Sequence, residues 1–178
     1  MGNDTSGRRD FLRSISLFGG LEDAALERVE AMLAEHTLAP GATVCSEGEQ
    51  GRSMYVVASG EVEVRRANSR GEQVPIVRLG RGEFFGEMTL IEIQPRSATV
   101  VVTEPSTLYA LTKKDLYTLY LEDLNAYILV LQNICRQLSR RLRKADSRIS
   151  ELLTSSASAE RTSTAAAVTK SPKPASQA

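Results

Sequence analysis

The sequence has few of the residues that most often build reactive centres. Its 178 residues include one histidine, His36. That count excludes metal sites assembled from several imidazoles, and with them the His-x-His centres by which small β-rolls of the cupin type hold catalytic metals. No nucleophile stands beside a candidate base. The chain is therefore not expected to be an enzyme, and neither a metal nor a cofactor is expected. There are two cysteines, Cys45 and Cys135, far apart and in apolar or mixed surroundings. A disulfide framework needs more of them in a shorter secreted chain. Both are read as reduced, buried thiols.

Long apolar runs are also missing. No stretch approaches the roughly 20 apolar residues of a membrane span. The N-terminus is polar through Asp10 and has no secretory pattern, so a cytoplasmic location is expected. Residues 1–6 fit a myristoylation pattern in form, but Asp4, close behind Gly2, weakens it. Asn3-Asp4-Thr5 is a glycosylation sequon without meaning in a chain that is not secreted. Nor is there an excess of charge. The 22 basic and 22 acidic residues cancel, which removes any overall electrostatic reason to bind nucleic acid or a membrane.

What is present is a chain 42% hydrophobic, enough for one buried core with appendages. Residues 1–10 read as a flexible leader. Phe11, Leu12, Ile15, Leu17 and Phe18 form a short apolar segment that ends at Gly19-Gly20. A helix follows, with Glu22 and Asp23 in its first turn, where the helix dipole favours acids. Its apolar face is Leu26, Val29, Met32 and Leu33, and it is expected to stop near His36, ahead of Pro40-Gly41. From there to Lys113 the pattern becomes short strands punctuated by turn residues. Strands are expected at 43–46, 54–57, 62–65, 74–79, 98–102 and 108–111, with a tight hairpin at Ser59-Gly60. Val62 and Val64 alternate with Glu61, Glu63 and Arg65, the period-two signature of a half-buried strand. About eight strands in some seventy residues point to a jelly roll. The fold class is mainly β: an eight-stranded jelly roll (a double-stranded, cupin-like β-helix) over about 36–112, with N-terminal helices and a long C-terminal helix over about 122–153. A short helix is expected at 115–120. Residues 154–178, rich in Ser, Thr and Ala with almost no large apolar side chain, are read as a disordered tail.

The segment 84–100, FFGEMTLIEIQPRSATV, carries the chemistry. Gly86 lets a ligand come close to the backbone. Residues 87–91 suit one short helical turn whose unpaired N–H groups favour an anion. Arg96, stiffened by Pro95 and just ahead of a strand, can hold a phosphate by two parallel charge-assisted hydrogen bonds. Ser97 adds a hydroxyl. Glu87 accepts hydrogen bonds only, which suits a sugar hydroxyl. An anion site beside a carboxylate for a polyol matches a ribose cyclic phosphate. The plain alternative is that Glu87 and Arg96 form an ordinary surface salt bridge, contributing about 0–1 kcal/mol.

This segment resembles the phosphate-binding cassette of the cyclic-nucleotide-binding domain family, whose pattern is Phe-Gly-Glu, a few apolar or small residues, a variable turn, then Pro-Arg-Ser/Thr/Ala-Ala-Thr. Here Phe85-Gly86-Glu87 and Pro95-Arg96-Ser97-Ala98-Thr99 meet it. Glu47-Gly48-Glu49, Ser53-Met54-Tyr55-Val56-Val57 and Ser59-Gly60-Glu61-Val62 add upstream anchors in order. The likeness spans residues 11–153 and suggests a stand-alone member of bacterial type. It implies that Glu87 binds the ribose 2′-hydroxyl and Arg96 the cyclic phosphate, helped by Gly86, Met88, Thr89, Ser97 and Ala98. Thr89 stands where many members have alanine, and Ile91-Glu92-Ile93-Gln94 fills the variable turn, with Glu92 expected to face solvent. The resemblance also implies a base contact from the long helix, for which Asn133, Arg136, Gln137 and Arg140 are candidates. The transcription-factor branch uses a Thr-Ser pair there, whereas this chain has Arg141-Leu142. The ligand is cAMP or cGMP, and Ser97 in place of threonine leans toward cAMP.

On the long helix, Leu121, Leu124, Ile128, Leu131, Cys135, Leu138, Leu142, Ala145, Ile149 and Leu152 repeat with alternating spacings of three and four. That is a coiled-coil seam. A helix folded back on its own roll also shows an apolar stripe, but this one runs for roughly 45 Å, more than one roll covers. A parallel homodimer is expected through residues 121–152, with Arg141 facing Asp146 across chains. The remaining basic residues, Arg136, Arg140, Arg143, Lys144 and Arg148, read as a solvated face rather than a nucleic-acid site. The chain is too short for a kinase, cyclase or channel, and no helix-turn-helix follows Leu153. A sensor module that moves its C-terminal helix and signals to a separate, unknown protein is the first expectation. A ligand-independent coiled-coil scaffold with a vestigial roll is the second.

Overall fold

The computed structural model describes residues 5–92 and 94–168. The elements run α1 (Thr5–Ser14), α2 (Asp23–Met32), β1 (Ala34–Leu38), β2 (Thr43–Cys45), β3 (Ser53–Ser59), β4 (Val62–Ala67), β5 (Gln73–Leu79), β6 (Phe84–Phe85), α3 (Met88–Ile91), β7 (Thr99–Val102), β8 (Ser106–Thr112), α4 (Lys113–Glu122) and α5 (Leu124–Val168). Two compact units are distinguished, Met1–Ile134 and Cys135–Ala178.

The eight strands form two four-stranded sheets, ordered β1-β8-β3-β6 and β2-β7-β4-β5. Every strand pairing is antiparallel. This is the expected jelly roll. Its core lies between the sheets: Val57, Phe85 and Leu108 come from the first, and Cys45, Val62, Leu79, Val100 and Val102 from the second. Val100 and Val102, two apart on β7, show the strand period directly.

Several expectations are corrected. Ser59-Gly60 does not close a hairpin, because β3 and β4 belong to different sheets. The turn passes the chain from one sheet to the other, and Gly60 is needed there: its φ is +80°, and a Cβ would collide with Pro105 O and Ser106. Helix α2 stops at Met32, not near His36. His36 lies in β1, paired with Leu108 of β8, so sheet pairing overrides the helical spacing. Residues 5–10, read as leader, are helical, because Phe11 and Leu12 are buried and Arg8 reaches the last carbonyls of α2 (Nη2 to Glu30 O 3.2 Å and Leu33 O 2.8 Å). Helix α4 begins at Lys113, two residues early, because Thr112 and Asp115 form a reciprocal capping box. Helix α5 continues to Val168, beyond the start of the expected tail, while residues 169–178 lie outside the described residues.

Two further departures concern β4 and the thiols. Glu63 was read as the solvent face of β4 but is 8% exposed. Arg65 Nε (2.7 Å) and Arg78 Nε (3.1 Å) close over its carboxylate. Next to it, Pro75 sits at a register shift on β5, which pairs with β4 alone, the edge position a residue without an N–H tolerates. Of the cysteines, Cys45 is buried as expected, whereas Cys135 is exposed.

The start of α5 uses a face that the heptad pattern does not mark. Ala126, Val130, Asn133 and Ile134 are its buried residues. Leu121, Leu124 and Ile128, all on the seam, are 64%, 51% and 43% exposed. In the second unit Leu142, Ile149 and Leu152 are exposed too. No helix among the described residues is long and apolar enough to cross a membrane.

Candidate ligand-binding site

The site is built where a strand, a one-turn helix and a loop meet. Strand β6 delivers Phe84 and Phe85 into the core and pairs with β3. The chain then turns at Gly86, with φ +79°, into α3. The short helical turn expected after Glu87 is therefore present, as Met88–Ile91. The following loop returns to β7 through Arg96.

Arg96 is fixed at its backbone first. Its N–H donates to Glu49 O (2.8 Å), and its own carbonyl accepts from Gly48 N–H (2.9 Å). The upstream Glu47-Gly48-Glu49 stretch thus clamps the arginine. The side chain then runs inward between two glycines. A Cβ on Gly51 would overlap Arg96 Nε, and one on Gly86 would overlap Nη1. Either side chain would occupy the guanidinium's channel.

Arg96 is only 6% exposed. Nη1 makes two long contacts, to Gly86 O and Thr89 Oγ1, each 3.4 Å. Thr89 Oγ1 itself donates to Gly86 O at 2.9 Å. Cζ stands 5.8 Å from the centroid of Tyr55, within the range of a cation–π contact. Tyr55 is stacked on Phe85 at 5.3 Å. Nε is buried with no hydrogen-bond partner among the described residues. A buried cation with an open N–H is costly until an anion meets it. The charge is felt nearby. Burial holds the Tyr55 phenol and the Cys45 thiol above their ordinary values, and the Arg96 charge pulls both back down.

Glu87 is 3% exposed, and Thr89 is 5% exposed. Glu87 and Arg96 are thus both buried, which removes the reading of an exposed surface pair. Met88 and Ser97 are exposed, and the Ser97 hydroxyl lies 3.9 Å from Met88 Sδ. Ala98 is half-buried, and its carbonyl lies 3.9 Å from Cys45 Sγ. Glu92 faces solvent as expected; Ile93 lies outside the described residues.

The candidates on α5 divide. Asn133 Nδ2 donates to Leu17 O and Gly19 O, each at 3.0 Å. Its amide nitrogen is committed to the turn after α1 rather than presented to a base. Arg136, Gln137 and Arg140 belong to the second unit, where Arg136 and Arg140 border a shallow groove with Cys135, Ser139 and Arg143. Residue reading missed Gly51 and Tyr55. Both lie in the upstream stretch, but their roles are set by Arg96, which is remote in sequence. Among the described residues no group of His, Cys, Asp or Glu is arranged to hold a metal.

Comparison with known proteins bears on the fold and the family. The cyclic AMP receptor protein of Thermus thermophilus is 33% identical over 135 residues, covering 76% of this chain and 61% of that protein. A cAMP-dependent protein kinase regulatory subunit of Mycosarcoma maydis is 36% identical over 90 residues, 51% of this chain and 17% of that one. The chain thus spans about three fifths of the first relative's length and a small part of the second's. Among solved structures, a cyclic nucleotide-binding domain from Methylobacillus flagellatus superposes with a TM-score of 0.74 at 25% identity, covering 83% of this chain and 84% of that one. The Thermus thermophilus catabolite activator protein gives 0.68 at 33% identity, covering 77% and 62%. The profile described as the cyclic nucleotide-binding domain matches residues 35–123, from β1 to the end of α4 and including the whole cassette. By that match the chain belongs to the cyclic nucleotide-binding domain family.

Proposed function

We propose that this chain is a sensor of a cyclic nucleotide, cAMP or cGMP, which holds the cyclic phosphate on Arg96 and the ribose 2′-hydroxyl on Glu87. One observation carries the reading: Arg96, 6% exposed, has its guanidinium in a channel kept open by glycines, with Nε lacking any partner among the described residues. The backbone at Gly86 and Met88, the Thr89 and Ser97 hydroxyls and Ala98 complete the cradle. The base contact falls to Arg136, Gln137 or Arg140.

The output is a population shift of the C-terminal helix between two arrangements, read by a separate partner protein. Its size is limited by the difference in ligand affinity between the two. The chain works as a parallel homodimer in the cytoplasm. The exposed seam residues Leu121, Leu124, Ile128, Leu142, Ile149 and Leu152 support that assembly.

Calorimetry with cAMP and cGMP tests the site. Arg96→Ala is expected to lose roughly 2–5 kcal/mol, the usual result of removing one partner of a buried charge contact. Glu87→Ala is expected to lose less, and a 2′-deoxy ligand should not distinguish it from the parent. Equal affinity of parent and Arg96→Ala would remove the assignment. If neither nucleotide binds the parent, the seam remains, and the second reading, a ligand-independent scaffold, replaces the sensor.

A further inference from the structure

A cavity of about 550 Å³ beside the cassette carries charge that the fold leaves unbalanced. Arg52, Glu92, Lys113 and Lys114 border it, all four exposed. Two more residues of its wall, Gly51 and Thr89, also frame Arg96.

Strand register brings the cations together. β3 pairs with β8, with Ser53 opposite Thr112. One step beyond that pair, Lys113 N–H donates to Arg52 O at 2.9 Å. Arg52 thus meets the first turn of α4, which supplies Lys113 and Lys114 in succession. Like charges gathered on one wall repel. Seven arginines of the first unit have a carboxylate partner, whereas Arg52, Lys113 and Lys114 have none among the described residues. The acid nearest in sequence, Asp115, is held by its own cap: its Oδ2 accepts from Thr112 N–H (2.9 Å) and Oγ1 (2.6 Å). Against the three cations the wall sets one carboxylate among the described residues, Glu92.

The surplus selects an anion, and the surroundings limit its length. Residues 1–134 include 13 basic and 19 acidic side chains, so beyond the groove a long polyanion or an anionic membrane meets mostly carboxylates. Nucleic acid held by its backbone needs a track of roughly six to ten phosphate contacts, more than three cations supply. We propose that the groove docks a short acidic segment of a partner protein, with carboxylates for Arg52 and for the Lys113-Lys114 pair. The docked segment lies against the walls of the Arg96 channel, on the face that the cassette shapes. The inference does not rest on nucleotide binding, because it uses neither Arg96 nor Glu87.

The second unit has cations of its own, from Arg136 to Arg148, so binding is read by position. The full chain, ¹⁵N-labelled and without nucleotide, is titrated separately with N-acetyl hexa-glutamate, hexa-lysine, sodium phosphate and a short thymidine oligonucleotide. Saturable shifts of the amides at 50–52 and 112–114 are expected with hexa-glutamate and not with the other three. The triple variant Arg52→Gln, Lys113→Gln, Lys114→Gln should weaken that binding about tenfold, and Glu92→Gln should strengthen it about threefold. Arg70→Gln, an exposed arginine in the turn between β4 and β5, should leave it unchanged. Thermal melts show whether the variants stay folded; if the triple variant does not, the contrast between Glu92→Gln and Arg70→Gln decides. Shifts confined to 136–148, equal binding of phosphate or the oligonucleotide, or equal effects of Arg70→Gln and the groove variants would each overturn the inference. Shifts at 50–52 and 112–114 on raising the concentration of the chain alone would make a second copy the occupant and overturn it too.

Discussion

Thr89 Oγ1 stands 3.4 Å from Arg96 Nη1 while donating its own proton to Gly86 O at 2.9 Å. One hydroxyl thus bridges the arginine and the turn that frames it. Thr89→Val keeps the shape and removes the bridge. A neutral hydrogen bond contributes about 0.5–1.5 kcal/mol, so nucleotide affinity should fall roughly two- to tenfold, with little change in melting temperature. Unaltered affinity would mean that Thr89 only fills space.

Gly51 has no positive φ, so an alanine there meets no backbone objection. The three atoms its Cβ would meet most closely all belong to the Arg96 side chain. Gly51→Ala is therefore expected to displace the guanidinium and cut affinity nearly as far as Arg96→Ala, while the protein stays folded. Calorimetry beside a thermal melt separates the two effects. A Gly51→Ala protein that binds like the parent would show that Arg96 has another route into the site.

The thiols offer a test of the dimer. Cys135 is exposed and falls on the heptad seam, whereas Cys45 is buried and burial holds its thiol above the ordinary value. In a parallel pair the two copies of Cys135 face each other at one core position. Mild oxidation should give a covalent dimer that Cys135→Ser abolishes and Cys45→Ser does not. A chain that stays monomeric on non-reducing gels, with Cys135 freely alkylated, argues against the parallel register.

Glu63 gives a pH signature. The Arg65 hydrogen bond, then Arg78, holds its carboxyl below the ordinary carboxylate value of 4.5. A carboxyl that is more acidic in the folded state adds stability above its unfolded value and loses it as pH falls through the folded one. The urea midpoint of Glu63→Gln should lie below that of the parent at pH ~7, and the gap should close below pH ~4. A gap that persists in acid would assign the effect to packing rather than charge.

Six of the eight strands were legible, β2 to β5, β7 and β8, from their apolar patterning and the turn residues at their junctions; β1, where the helical spacing of α2 ran on, and the two-residue β6 were not. Val62, Val100 and Val102 sit on the core side as their spacing required. The cassette was legible because its residues are consecutive. Glu63 was misread because the arginine from β5 that helps cover it enters only when β4 and β5 pair. The tie of Asn133 Nδ2 to the turn after α1 was not legible because its partners, Leu17 O and Gly19 O, lie over a hundred positions earlier.

The sequence alone determined which chemical groups are available: one arginine and one glutamate in a glycine-bearing loop, strands of period two, and a seam with spacings of three and four. These are local properties, set by the order of neighbouring residues and by backbone sterics. Tertiary structure decided what is buried and what is left open. Only folding places Gly51 and Tyr55 beside Arg96, leaves its Nε without a partner among the described residues, and turns Ala126, Val130 and Ile134 inward in place of the seam. Burial depends on which distant segments meet, and no local pattern carries that information.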